Sequence, residues 1–203
     1  MDDETLRDTS GTSYTRRLQT REGVWWKRAL DVQRPYRWNL RRQGLGRTLD
    51  VGCGLGRNLA VLPPGSVGID HNATSVAEAR RRGRSAYTPE EFTDSEHAVP
   101  GSFDGMLLAH VVEHMDATTG TRLAATYLPF LRPGGSVFFI CPQERGYASD
   151  PTHVRFVDGA DLVRLSEELG LQPQAPFSFP FPRALGTVFT YNEFCLLART
   201  PGV

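Results

Sequence analysis

Two groups of residues in this 203-residue chain have the types and spacing to do chemistry. The first is Leu49-Asp-Val-Gly-Cys-Gly-Leu-Gly-Arg57, whose glycines let the backbone turn tightly and admit a ligand where a Cβ would collide. Asp50 sets a carboxylate beside that turn. Asp70 stands eighteen residues past Gly52, at the reach of an acid that accepts both hydroxyls of a ribose. A dinucleotide pyrophosphate would be repelled by Asp50, and the dinucleotide pattern wants its third glycine where Arg57 stands, so NAD is disfavoured. A cofactor carrying positive charge would be attracted. Glu91-Phe92 adds an acid and an apolar ring suited to an adenine amino group and ring face.

The second group is His110-Val-Val-Glu-His114 with His153 further on. One helical turn brings positions 110, 113 and 114 to one side. Asp150-Pro-Thr-His153 lies across the same crevice if the strands preceding the two segments are neighbours. His110, Glu113, His114 and His153 together could hold a divalent ion with positions open for substrate oxygens. Such an ion has a purpose where the acceptor is an alcohol, because a sugar-type hydroxyl keeps its proton too tightly for ordinary side chains. Bound zinc lowers the pKa of water from about 16 to about 7. Glu113 or an uncoordinated histidine could then take the proton. Nitrogen and thiol acceptors need no such help.

The elements that must position these groups alternate. Thr48-Leu-Asp-Val51 is β-favouring and leads through the glycine turn to the helix-compatible 57–62. Val67-Gly-Ile-Asp70 is a second strand, and Ala73 to Arg82 a helix capped by Thr74 or Ser75. Strands are expected at 85–88, 103–109 and 136–141, and helices at 118–131 and 159–169. The proline-rich stretch after Pro173 reads as extended, and 191–198 as a final strand. Tyr14 to Arg42 reads as helical with a break near Pro35. Strands alternating with helices imply an α/β fold with a parallel sheet covered on both faces, and ligands beyond its carboxyl edge.

Composition narrows the class. At 39% hydrophobic and 23% charged, the chain fits a compact domain, and its longest apolar runs fall short of the roughly 18–20 residues of a membrane helix. The first ten residues include Asp2, Asp3, Glu4 and Asp8 where a secretory signal needs a basic start and an apolar core, so a cytoplasmic address is expected. Cys53, Cys141 and Cys195 are odd in number and widely spread, which predicts buried reduced thiols. Residues 1–47 carry eleven basic side chains, ten Arg and Lys27, against six acidic ones. These are interleaved with Trp25, Trp26, Leu30, Tyr36, Trp38 and Leu40, the pattern of an amphipathic helix packed on the body rather than of a nucleic-acid arm.

From Thr48 to Arg199 the ordered set of motifs resembles the class I S-adenosylmethionine-dependent methyltransferases. It comprises the glycine turn, the acid ending strand two, Ser102-Phe-Asp-Gly-Met-Leu-Leu-Ala109, Leu131-Arg-Pro-Gly-Gly135 and the late final strand. The resemblance implies a Rossmann-like, mostly parallel sheet of seven strands with helices on both faces and an antiparallel last strand. It divides the chain into an N-terminal helical lid, 1–43, and a methyltransferase domain, 44–203. It also implies a cofactor held by Asp50, Gly52, Gly54, Asn58, Asp70, His71, Glu91 and Phe92, with Asp50 and the glycines at its methionine part and Asp70 on the ribose. The stretch 110–114 is similar to a metal-dependent O-methyltransferase subgroup that includes the ubiquinone-biosynthesis and small-RNA 2′-O-methyltransferases. Their pattern is Glu-x-x-Glu-His, with a later histidine in the RNA enzymes. Glu113, His114 and His153 match, and His110 replaces the first glutamate. Actinobacterial sugar O-methyltransferases of the mycobacterial mannoside type are also similar.

The resulting expectation is methyl transfer to a hydroxyl of a small polar acceptor, a saccharide or polyol. The cation would be magnesium or manganese, with zinc or iron as alternatives. Glu113, His114 and His153 are the candidate catalytic residues, and the segment 142–157, with Arg145 and Tyr147, forms the acceptor pocket with the lid. A homodimer stays open. Three rivals stand beside this reading: an RNA 3′-end or phenol acceptor, a non-catalytic cofactor-binding module, and a zinc peptidase, whose inverted signature His-x-x-Glu-His also is.

Overall fold

The computed structural model describes residues 34–202. Most of the expected lid, 1–33, lies outside the described residues. The first described helix, α1 (Arg34–Arg42), contains Pro35.

Five strands run parallel: β1 (Thr48–Val51), β2 (Val67–Ile69), β3 (Ala86–Tyr87), β4 (Phe103–Ala109) and β5 (Leu131–Pro142). The C-terminal part adds β6 (Gln172–Pro173), β7 (Phe177–Phe179) and β8 (Glu193–Arg199), and the order is β3-β2-β1-β4-β5-β8-β6, with β7 also on β8. The sheet therefore has eight strands, where seven were expected. The extended proline-rich stretch reaches β8 twice. β6 pairs with Arg199 and Ala198, and β7 pairs with Cys195, Phe194 and Glu193, so two short strands share one edge of β8. β8 itself is antiparallel to β5.

The two central strands are apolar on both faces, as a covered parallel sheet requires. Met106 and Leu108 of β4, with Val137, Phe139 and Cys141 of β5, enter one buried cluster. Their alternates Leu107, Ala109, Phe138 and Ile140 enter another, which Leu40 of α1 and Leu45 complete. On the first face lie α4 (Ala117–Tyr127) and α6 (Gly159–Glu168), through Ala124, Tyr127, Leu162 and Leu165. Between them in the chain comes the short α5 (Glu144–Tyr147). All three cysteines are free and buried, and burial pushes each thiol well above its ordinary value. No described helix is long and apolar enough to cross a membrane.

Several boundaries differ from the sequence expectation for local reasons. The helix expected over 57–62 is only a 3-10 turn, Asn58–Ala60. A short helix, α3 (Pro89–Thr93), follows β3 and closes a capping box between Thr88 and Glu91. Another 3-10 turn, Arg183–Thr187, interrupts the stretch expected to be extended. The cap of α2 (Ala73–Arg81) is Asn72, not Thr74 or Ser75: its side-chain oxygen accepts from the N–H groups of both, at 3.0 and 3.1 Å. Asn72 precedes two residues that can themselves cap, so only the backbone decides between them. Replacing Asn72 by Ala should cost about 1 kcal/mol, which in a domain of this size lowers the melting temperature by about 2–4 °C. Calorimetry on the variant checks it.

Candidate active site

Because β1, β2, β4 and β5 are parallel, their carboxyl ends lie along one edge. Gly52 turns the chain directly after β1 with φ +76°, and a Cβ there would sit 2.5 Å from Val111 Cγ2. The turn is tied to β2 through the Gly52 and Cys53 N–H groups, which donate to Ile69 O at 2.8 and 3.0 Å. Gly54 N–H donates to Asp70 Oδ2 at 2.8 Å, and Asn72 N–H to Asp70 Oδ1 at 2.9 Å. Asp70 thus holds the glycine turn against β2 and keeps a second lone pair on each oxygen for a ligand. His71 is exposed, with Nδ1 3.7 Å from Asp70 Oδ1.

Asp50 is fully buried at the same edge. Its Oδ1 accepts from Asn58 Nδ2 at 3.3 Å, and its Oδ2 has no hydrogen-bond partner. Burial pushes its pKa up to about 7, although the Asn58 hydrogen bond and Arg57 pull it down. An unpaired carboxylate oxygen beside a turn without side chains is a place a cation would satisfy. The residues present therefore fit a positively charged cofactor.

Two expected adenine contacts need correction. Phe92 is buried in the core, edge-on to Tyr127 and Phe130 at 6.1 and 5.0 Å, and presents no free ring face. Glu91 closes the capping box of α3 and forms a bidentate pair with Arg80 at 2.6 and 3.1 Å, which holds its carboxyl below the usual range. The pair read as ligand contacts is occupied with folding α3, a helix the sequence pattern did not reveal.

Beyond β4 the chain turns sharply. His110 has φ +59°, the one described non-glycine residue in the left-handed region, and a 3-10 turn, Val112–His114, follows. Glu113, His114 and His153 come together: each offers a ligand atom, all within 4.8 Å of one another. Glu113 is fully buried. Its Oε2 accepts weakly from the Cys141 thiol at 3.7 Å, and its Oε1 has no hydrogen bond. Burial raises the Glu113 pKa, but His110 and His114 outweigh it and leave the carboxyl below the usual range.

The histidines differ in what holds their rings. His114 Nδ1 lies 3.1 Å from Thr152 O, and His153 Nδ1 lies 2.7 Å from Tyr147 O. A carbonyl only accepts, so each Nδ1 donates its proton, and the neutral form of each ring has its lone pair on Nε2. Burial lowers the His153 pKa, and Tyr147 stacks on its ring at 5.2 Å and 17°. His110 is the opposite case. Its Nε2 lies 2.9 Å from Glu193 Oε1, and its Nδ1 approaches Glu113 Oε1 at 3.3 Å, an ion pair not aligned as a hydrogen bond. Burial alone would lower its pKa, but the two carboxylates hold it at about 10. A ring held doubly protonated, with one hydrogen bond to Glu193 and an ion pair to Glu113, has no lone pair for a metal, so the expected fourth ligand His110 is corrected to a charged partner of Glu113 and Glu193. Sequence reasoning missed Glu193, whose signal was a lone acid opening the apolar run Phe194-Cys-Leu-Leu-Ala198.

Residues 49–139 match the family described as methyltransferase domain. Over that stretch the chain carries an S-adenosylmethionine-dependent methyltransferase domain. Solved methyltransferases share the fold. One from Archaeoglobus fulgidus is 18% identical with a TM-score of 0.62, over 81% of this chain and 93% of that one. The magnesium protoporphyrin IX methyltransferase of Synechocystis, solved with bound SAH, is 15% identical with a TM-score of 0.65, over 98% of this chain and 100% of that one. An N-methyltransferase from Bradyrhizobium japonicum is 18% identical with a TM-score of 0.58, over 83% and 96%. No curated protein matches the sequence.

The buried acid of this methyltransferase makes a pH prediction. The folded pKa of Asp50, about 7, lies above its ordinary 3.8, so the fold favours the neutral acid. Compared with Asp50→Asn, the cofactor-free protein should lose stability as pH rises between those two values, and the difference should be flat on either side. The whole loss amounts to about 4 kcal/mol at most. Urea melts of both forms from about pH 4 to pH 8 measure it, and a pH-independent difference would contradict it.

Proposed function

We propose that this methyltransferase transfers a methyl group to a hydroxyl of a small polar acceptor, a saccharide or polyol, with a divalent cation held by Glu113, His114 and His153. The observation that carries the reading is the convergence of those three side chains beyond the carboxyl ends of β4 and β5, with both imidazole lone pairs on Nε2 and a buried carboxylate oxygen left without a hydrogen bond. Two imidazoles and one carboxylate suit manganese, iron, cobalt or zinc at least as well as magnesium, which prefers oxygen ligands.

The cofactor, when bound, supplies an electrophilic methyl on a positively charged sulfur. Asp50 would offer the charge that favours such a cation, Gly52 and Gly54 the close backbone approach, and Asp70 the hydrogen bonds to the ribose. Asn58 orients Asp50, and His71 lies at the open side of Asp70. Glu113, His114 and His153 would hold a cation that would supply Lewis acidity and fix the direction of an oxygen. Glu113, whose Oε1 is ion-paired with His110 but accepts no hydrogen bond, would receive the proton of the hydroxyl. Its depressed pKa makes it a weak base, which is enough only for an acceptor whose own acidity has been raised. His110 keeps Glu113 charged from the other side, and Glu193 holds His110. Tyr147, packed on His153 beside the cleft, offers an aromatic wall for a sugar face.

Release of S-adenosylhomocysteine across a panel of saccharides, polyols, phenols and RNA 3′ ends tests the reading. Turnover on a saccharide or polyol should fall on chelation and return with manganese, and it should depend only shallowly on salt, unlike binding through phosphates. By calorimetry, Glu113→Gln and His153→Ala should each weaken manganese binding by at least about tenfold. His110→Gln should leave more of that binding than either. Turnover that survives both chelation and Glu113→Ala would remove the cation from the proposal.

A further inference from the structure

Tyr36 of α1 touches both halves of the cleft. Its hydroxyl donates to Asn58 Oδ1 at 3.2 Å, and Asn58 Nδ2 in turn donates to Asp50 Oδ1 at 3.3 Å. Its ring is stacked 6.3 Å from that of His110, at 28°, and the Arg57 guanidinium lies 5.6 Å from the centre of the Tyr36 ring. Asn58 and Asp50 are both buried, and Asp50 Oδ2 is the atom left without a partner.

An amide has an accepting end and a donating end of almost the same shape. Turned one way, Asn58 gives an N–H to Asp50; turned the other way, it sets an oxygen against an ionised carboxylate. The donor on the far side of the amide decides between them. Burial pushes the Tyr36 pKa well up, so its hydroxyl keeps the proton it donates.

We propose that Tyr36 is a positioning residue for the cofactor: its hydroxyl locks the Asn58 amide with the N–H toward Asp50, and so keeps that carboxylate ready for a cationic ligand. The segment N-terminal to β1 is on this account part of the cofactor site. The inference rests on the reading of Asp50 as the cofactor's carboxylate and extends it to a residue outside the glycine motif. Besides Asn58, the groups facing Asp50 are Asp70 at the end of β2, Arg57 and Cys53 in the turn, and Tyr36 on α1; Glu193 on β8 faces Tyr36.

The test is calorimetric binding of S-adenosylmethionine to the full chain between about pH 6 and pH 8, for the wild type, Tyr36→Phe, Asn58→Ala, the double variant and Asp50→Asn. Tyr36→Phe keeps the ring and its stacking and removes only the hydroxyl. It should weaken binding about three- to tenfold at neutral pH, the worth of one hydrogen bond. It should also move the pH midpoint of binding upward, because a carboxylate that loses its N–H ionises later. In the Asn58→Ala background the same substitution should change nothing further, a non-additivity that general loosening of α1 would not produce. Unchanged binding by Tyr36→Phe, or additive effects in the double variant, while Asp50→Asn binds poorly, would overturn the role of Tyr36 alone. Asp50→Asn binding as well as the wild type would overturn the reading of Asp50 and this inference with it.

Discussion

A carboxylate inside a protein is costly unless something shares its charge, and Asp50 is only half provided for. One oxygen has Asn58 and the other has nothing, at the end of a strand whose every residue is buried. The surrounding architecture follows from keeping that acid in place. β1 lies between β2 and β4, so Asp50 cannot turn outward to solvent. Gly52 bends the chain away where any Cβ would strike Val111, and Asp70 pins the bend through Gly54. The deficit remains at one atom, Oδ2, and a cationic ligand is a group that would remove it.

The other half of the cleft is built on a contrast among imidazoles. His114 and His153 give their Nδ1 protons to backbone carbonyls and keep a lone pair, while His110 lies between two carboxylates and keeps none. The three residue types are identical, so the difference comes wholly from what faces them. Thr152 and Tyr147 lie in the segment after β5, and Glu193 opens β8, which pairs antiparallel with β5. The late antiparallel strand therefore does more than widen the sheet: it brings a carboxylate to the end of β4. The left-handed backbone of His110 is the local cost of turning its ring toward that carboxylate.

Much of the fold was legible. The alternation of strands and helices, the apolar runs of β4 and β5 and the glycine turn follow from periodicity and composition, because burial on both faces leaves a continuous apolar signature. The short elements were not. α3 is held by a capping box, and β6 and β7 by their pairing to β8; neither device has a hydrophobic period to announce it. Within the site, Glu113, His114 and His153 were found from their types, and the structure brings them together. Glu91 and Phe92 looked like ligand contacts for the same reason that they make a good first turn: an acid near a helix start and an apolar residue facing the core.

By itself the sequence determined which side chains are present and, through local periodicity, which strand ends they lie at; that suffices for the glycine turn, the acid within β1 and the one after β2, and the histidines after β4 and β5. Only the tertiary structure decided what each of them faces. Glu193 against His110, and Tyr36 against both Asn58 and His110, join residues far apart in the chain, with 83 positions separating His110 from Glu193. Protonation and hydrogen-bond direction depend on the nearest few ångströms of surroundings, and no linear pattern carries that information.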